Sequence, residues 1–541
     1  MLGQMSHQPL LISYQLRFAD RFHHNVEVVT RTVEGPINRS SWGQIARRSR
    51  KLANALVALG VKPGDRVATL AWNTHRHLEL YFAVSGLGAV LHTVNPRLPV
   101  DQLRYIVDHA EDSVLFFDNT FAKLAQFIAS QQLEVKHYIA MTDAANLPTD
   151  THLQGLTDYE SFIEPHSADF DWPDFDENTA SSLCYTSGTS GNPKGVLYSH
   201  RSTVLHSYAA AMVDSLGISA SDVTLPVVPM FHVNAWGVPY AAAMVGSKLV
   251  LPGPGLDGKN LLELIDQEKV TSLLGVPTVW MGLLTHMKSV GYTMTNVKKV
   301  TIGGAACPPS MIEAFEKQHG ARVIHAWGMT ETSPIGTVTT MLPKHEGLSE
   351  EALMAVKRKQ GRPLYGVDLR LVDDDHNVLP HDGEQSGHLQ IRGPWVASSY
   401  FRRDRDDAHD GEWFYTGDIA TIDADSYMQI TDRSKDVIKS GGEWISSIDL
   451  ENAAVGCPGV AQAAAIGVAH AKWQERPLLI VVKAPGAEVT AEEILTFLTT
   501  KLAKWWMPDA VEFIDALPLG ATGKILKRQL RERFAGYVLP G

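Results

Sequence analysis

The chain has 541 residues, of which 44% are hydrophobic and 20% charged, with a formal net charge of −12. That length exceeds what one hydrophobic core serves, so two or more domains are expected. The acidic balance argues against nucleic acid as a general partner, and Cys184, Cys307 and Cys457 lack the spacing of a zinc site or a disulfide framework.

No run reaches the roughly 18 apolar residues of a membrane helix. The N-terminus MLGQMSHQPLLIS lacks a basic n-region. A cytoplasmic protein without stable membrane insertion is expected. Apolar spacing predicts a helix over 41–59, stopped by Gly60, and a strand over 66–70. Helices at 76–89, 101–110 and 121–130 alternate with strands at 89–93, 114–117 and 137–141. This alternation implies a parallel sheet with helices on its faces. Residues 142–176 read as an acidic, irregular excursion.

Tyr185 to Val196, YTSGTSGNPKGV, packs hydroxyls, three glycines and Lys194 into a dozen positions. Such a run buries little and is costly to order. It suits a loop whose N–H groups and hydroxyls close around phosphate oxygens. A Gly/Ser linker is the plainer alternative. The P-loop pattern fails, because Gly191 stands three residues before Lys194 and Gly195 follows it. A strand is expected to end at Tyr185 and a helix to span Tyr198 to Met212.

Strands follow at 223–229, 245–251, 272–276, 297–302 and 322–325, with helices at 261–268 and 310–318. Beyond residue 365, short strands at 367–373, 387–392, 419–423 and 427–431 suggest an antiparallel region. The charged run Asp432–Asp436 leads to a final α+β domain of about 100 residues. The expected fold class is α/β. It comprises a large N-terminal domain (1–431) with parallel-sheet subdomains and a small β subdomain, a hinge (432–437) and a small mobile C-terminal domain (438–541).

Five further segments carry chemistry. In Trp327–Thr332 a carboxylate beside a hydroxyl at a strand end suits hydrated Mg²⁺ on nucleotide phosphates; a capped surface loop fits it too. Asp418 follows a glycine turn and is either a ribose acceptor or a turn former. The run 432–436 is either a solvated charge cluster or a hinge. His232, among aromatics, is either a packed histidine or a pocket wall, and Lys524 is either a surface lysine or a reactive one.

Together these segments resemble, in order and spacing over nearly the whole chain, the AMP-forming adenylating enzymes: acyl-CoA synthetases, firefly-type luciferases and peptide-synthetase adenylation domains. SSLCYTSGTSGNPKGVLYSHRSTVLHS, VVPMFHVNAWG, IGGAACPPSMI, HAWGMTE and IKSGGEWISS look closest to 3-methylmercaptopropionyl-CoA ligases and medium- to long-chain fatty acyl-CoA synthetases. With no carrier-protein segment after residue 541, a peptide-synthetase module is not expected.

The resemblance implies that Thr186, Ser187, Gly188, Thr189, Ser190, Gly191 and Lys194 hold the β- and γ-phosphates. Trp327, where the family usually has tyrosine, would stack on adenine. Gly304, Ala305, Ala306, His325, Ala326, Gly328 and Met329 would lie beside it. Thr330 would touch the α-phosphate, and Glu331, with Thr186, would hold Mg²⁺. Asp418 and Arg433 would take the ribose hydroxyls, Lys439 would complete the nucleotide set, and Lys435 would be the hinge. Lys524 would be the catalytic lysine of adenylation and His232 would lie near the acyl carboxylate. Trp236 and Gly303 would lie near the pantetheine or acyl tunnel, and Gly441, Gly442, Glu443 and Trp444 would line the thioester-forming arrangement.

The implied reaction joins a small monocarboxylic acid to CoA through acyl-AMP, with ATP and CoA as co-substrates and Mg²⁺ as cofactor. The acid would be 3-methylmercaptopropionate or a short- to medium-chain fatty acid, with a long-chain acid as the alternative and a homodimer left open. An ADP-forming phosphotransferase and a non-catalytic nucleotide-binding protein are the rivals from other classes.

Overall fold

The computed structural model describes residues 1, 3–186, 192–404, 408–441, 443–520 and 525–539. The chain forms two compact units, Met1–Val367 with Gly393–Asp407, and Asp368–Arg392 with Ala408–Gly541. The antiparallel strands expected beyond residue 365 therefore group with the C-terminal region.

The first unit carries two sheets. One runs in the order 157–158, 137–140, 112–117, 66–70, 90–93, 180–185, 195–199. All its neighbours pair in parallel except the last two strands. From strand Arg66–Leu70 the chain adds strands first on one side and then on the other, which makes it a switch point of a doubly wound sheet. The second sheet has a parallel interior, 322–328, 299–302, 272–275, 223–226, 248–251 and 27–31, with antiparallel strands at both margins. Its core gathers Leu225, Val250, Leu261, Leu273, Trp280, Val300, Ile312 and Phe315.

Local signals explain the elements that formed as expected. Helix Trp42–Leu59 begins where Ser41 accepts a bond from the Gln44 N–H and ends at Gly60, whose φ of 95° favours glycine. Elsewhere the structure corrects the sequence reading. The glycine-rich segment does not pass straight into a helix, because Gly195–Ser199 pairs antiparallel with Ala180–Tyr185. The helix begins only at His200, capped by the Ser199 hydroxyl. Helices Val238–Val245 and Pro277–Val290 stand where none was expected. Val238–Val245 is buried nearly all round, whereas Pro277–Val290 buries Trp280, Leu283 and Met287 and exposes Met281 and Val290, which blurs its stripe. The excursion 142–176 holds the short helix Tyr159–Ile163.

The second unit has an antiparallel sheet of 368–372, 387–392, 413–422, 428–433 and 409–410. A further sheet joins 443–445, 438–440, 474–483 and 460–470, with 510–513 parallel at its margin. Helices Ser447–Val455 and Ala491–Thr499 contribute Leu450, Ala454, Ile494 and Leu498 to a core with Ile438, Leu479 and Val481. Among the described residues no helix is long and apolar enough to cross a membrane.

Candidate functional site

In the first unit the chemistry-bearing segments leave the C-terminal ends of parallel strands, where open α/β sheets place ligands. Strand Ala180–Tyr185 ends at Thr186, whose N–H donates to the Lys194 carbonyl at 2.9 Å. The Lys194 N–H donates to the Thr186 hydroxyl at 3.2 Å, which closes the base of the glycine-rich loop. Ser187, Gly188, Thr189, Ser190 and Gly191 lie outside the described residues.

Strand Arg322–Gly328 carries His325, Ala326 and Trp327 to the same end and turns at Met329–Ser333. Gly328 is required there, since a Cβ would stand 1.8 Å from the Pro334 carbonyl oxygen. Thr330 and Glu331 are each only 6% exposed. The Tyr198 hydroxyl donates to the Thr330 carbonyl at 2.6 Å, and the Ala397 N–H donates to the Glu331 carbonyl at 2.7 Å. The Tyr400 hydroxyl donates to Glu331 Oε1 at 2.7 Å, while Lys194 Nζ stands 4.4 Å from the centre of the Tyr400 ring. Burial pushes the His325 imidazole down to about 4, so it is neutral at pH 7.

The segment after His232 turns with the opposite hand. Val233, Asn234, Ala235, Trp236 and Gly237 have φ of 47°, 50°, 48°, 58° and 71°. Residues with a Cβ resist this conformation by roughly 1–2 kcal/mol each. Tertiary bonds hold it. Asn234 Nδ2 donates to the Ser182 hydroxyl at 2.9 Å, and the Tyr81 hydroxyl donates to the Met230 carbonyl. The turn places Trp236 against Gly303, where a Cβ would stand 3.0 Å from the indole and 2.9 Å from the Ala326 carbonyl oxygen. Gly304 follows with φ 78°, and it and Ala305 are exposed, with Ala306 half-buried.

The second unit holds another set. Asp418 is not in a turn. It lies inside strand Trp413–Ile422, opposite Arg433, after Gly417 (φ 75°). Its carboxylate, 1% exposed, pairs with Arg433 Nε at 2.7 Å. The charged run is not wholly solvated either. Asp432 is fully buried and accepts from the Ser447 N–H at 2.6 Å and the Ser447 hydroxyl at 2.9 Å. Lys435 is exposed, and partial desolvation, opposed by Asp436 and reinforced by Arg433, Arg531 and Arg528, lowers its pKa. Lys439 pairs in register with Trp444, and its ammonium lies 5.4 Å from that ring. Gly441 turns with φ 62° towards Glu443, whose backbone pairs with Ser440. Gly442 and Lys524 lie outside the described residues.

Residues 17–401 match the AMP-binding enzyme family and residues 449–524 match the AMP-binding enzyme C-terminal domain. The chain belongs to the AMP-binding enzyme family. It is similar, at 55% identity over 535 residues and 99% of both chains, to a 3-methylmercaptopropionyl-CoA ligase of Ruegeria lacuscaerulensis. It is 51% identical over 539 residues to a medium-chain-fatty-acid–CoA ligase of Ectopseudomonas oleovorans, covering 100% of this chain and 98% of the relative. Its fold matches a crystal structure of an anthranilate CoA ligase in complex with anthranoyl-AMP. That match has a TM-score of 0.86 at 25% identity and covers 98% and 99% of the two chains.

For this AMP-binding enzyme, three residues at the site escape sequence reasoning. Tyr198 and Tyr400 hold the Thr330–Glu331 turn, and Asn234 holds the left-handed one. Asn234 had a signal in its place inside the His-Val-Asn-Ala-Trp segment. Tyr400 had none, being 69 positions from the carboxylate it meets.

Proposed function

We propose that this chain converts a monocarboxylic acid to its CoA thioester through an acyl-AMP intermediate, releasing AMP and pyrophosphate. The acid is 3-methylmercaptopropionate or a short- to medium-chain fatty acid. The observation that carries the reading is the packing of Trp236 on Gly303, which puts an apolar wall beside the strand end that leads through Ala326 to Thr330 and Glu331.

Acid and nucleotide both bear negative charge, so the first task is to cancel repulsion. Lys194 serves the β- and γ-phosphates with the loop from Thr186, and Lys524 serves the adenylation step. Fixed donors at such positions are typically worth about 3–4 kcal/mol of transition-state stabilisation. Thr330 faces the α-phosphate and Trp327 the adenine ring. Asp418 and Arg433 take the ribose hydroxyls, and His232 orients the acid.

Glu331 and Thr186 fit a magnesium ion. They offer a buried carboxylate and a hydroxyl, the hard oxygens that Mg²⁺ takes beside substrate phosphates. Bound there, the ion supplies charge neutralisation at the phosphates.

Domain boundaries at 1–431, 432–437 and 438–541 give the second half-reaction its device. The C-terminal domain turns about Lys435, Lys524 withdraws, and the face with Gly441, Gly442, Glu443 and Trp444 receives CoA. The test is CoA-dependent AMP release against acids from propionate and 3-methylmercaptopropionate up to palmitate. Release peaking at the short thioether or medium-chain acids supports the reading. Release rising to palmitate moves it to long-chain acids, and ADP as product overturns it.

A further inference from the structure

Segment 393–404 leaves the antiparallel sheet and returns to the first unit's site. Three of its bonds frame the site. The Trp395 indole N–H donates to the Ile335 carbonyl at 3.0 Å, the Ala397 N–H to the Glu331 carbonyl at 2.7 Å, and the Phe401 N–H to the Gly195 carbonyl at 2.8 Å. The last approach is close. A Cβ on Gly195 would stand 3.1 Å from Phe401 Cβ and 3.2 Å from the Tyr185 ring. The segment therefore ties the strand after the glycine-rich loop to the turn bearing Glu331, and Tyr400 sits between these ties. Only 7% exposed, Tyr400 uses both of its chemical faces. Its hydroxyl donates to the Glu331 carboxylate and its ring faces the Lys194 ammonium.

We infer that Tyr400 is a positioning residue that sets the Glu331 carboxylate and the Lys194 ammonium for one metal–nucleotide pair. The inference rests on the roles proposed above for Glu331 and Lys194. A hydrogen bond to one carboxylate oxygen fixes the plane of the group that would face the ion. The ring's negative face attracts the ammonium electrostatically. Because the two contacts use different parts of one side chain, they separate by substitution. Tyr400→Phe keeps the ring and removes the hydroxyl. Tyr400→Leu removes both, and Tyr400→Met replaces it if the leucine variant does not fold.

The experiment measures Mn²⁺ binding by electron paramagnetic resonance in the presence of α,β-methylene-ATP, which cannot transfer its AMP moiety to an acid. The affinity for that nucleotide without metal is measured by calorimetry. Tyr400→Phe is expected to weaken Mn²⁺ binding about 10-fold, as loss of an orienting partner does, with nucleotide affinity little changed. Tyr400→Leu is expected to weaken both. Mn²⁺ binding unchanged in a folded Tyr400→Phe overturns the hydroxyl's role. Nucleotide affinity unchanged in the variant lacking the ring overturns the ring's role. Wild-type protein that binds metal and nucleotide yet releases AMP with no acid would remove the ligase reading and leave the role of Tyr400 intact.

Discussion

Trp236 and Gly303 occupy one tight contact, in which the indole stands where a side chain on the glycine would begin. The Ala326 carbonyl closes the other side, so a side chain at 303 has to push the indole away. Gly303→Ala should therefore displace Trp236 and lower stability by about 1–3 kcal/mol, the usual cost of overpacking. The expected kinetic outcome is a shifted acid chain-length preference with KM for ATP little changed. An unaltered acid profile in a folded variant would show that Trp236 does not face the acid.

Lys524 is assigned to adenylation alone. Lys524→Ala should slow acyl-adenylate formation by about 10²–10³-fold while sparing thioester formation from supplied acyl-adenylate. Equal loss in both half-reactions would sink that role.

Lys435 is the residue proposed above as the hinge. Lys435→Pro fixes φ there and restricts the residue before it. Stopped-flow comparison should find the CoA step impaired more than adenylation. Normal CoA-dependent turnover would argue against the hinge.

His206 is fully buried beside Gly237 and accepts from the Ile335 N–H at 3.3 Å. Burial lowers its pKa from 6.5 to about 3. Below pH 6.5 the unfolded chain therefore binds a proton that the folded chain refuses, so stability falls with pH. Between pH 7 and 5 this group contributes about 2 kcal/mol of that loss. His206→Gln cannot bind the proton, and its thermal midpoint should fall less over the same interval. Parallel pH profiles for the two proteins would contradict the assignment.

What was legible in the sequence follows from how locally it was encoded. Strand Arg66–Leu70 was read to the residue, and helix Trp42–Leu59 carried its own cap and stop. The turn 233–237 was not legible, because its residues adopt positive φ only under distant anchors such as Ser182 and Tyr81. Asp432 looked solvated by composition, yet Ser447 buries it. Asp418 looked like a turn residue because Gly417 precedes it, but that glycine sits within a strand. The motifs marked the candidate site, whereas Tyr400, which holds Glu331, came from a segment with no chemical signature.

The most direct test of the proposed chemistry follows oxygen. The protein is incubated with ATP, CoA and an acid labelled with ¹⁸O in its carboxylate, and the products are weighed by mass spectrometry. Attack of the carboxylate on the α-phosphorus, followed by thioester formation, transfers one labelled oxygen to AMP. The account predicts singly labelled AMP and unlabelled pyrophosphate. Label in inorganic phosphate, with ADP as the nucleotide product, would contradict it.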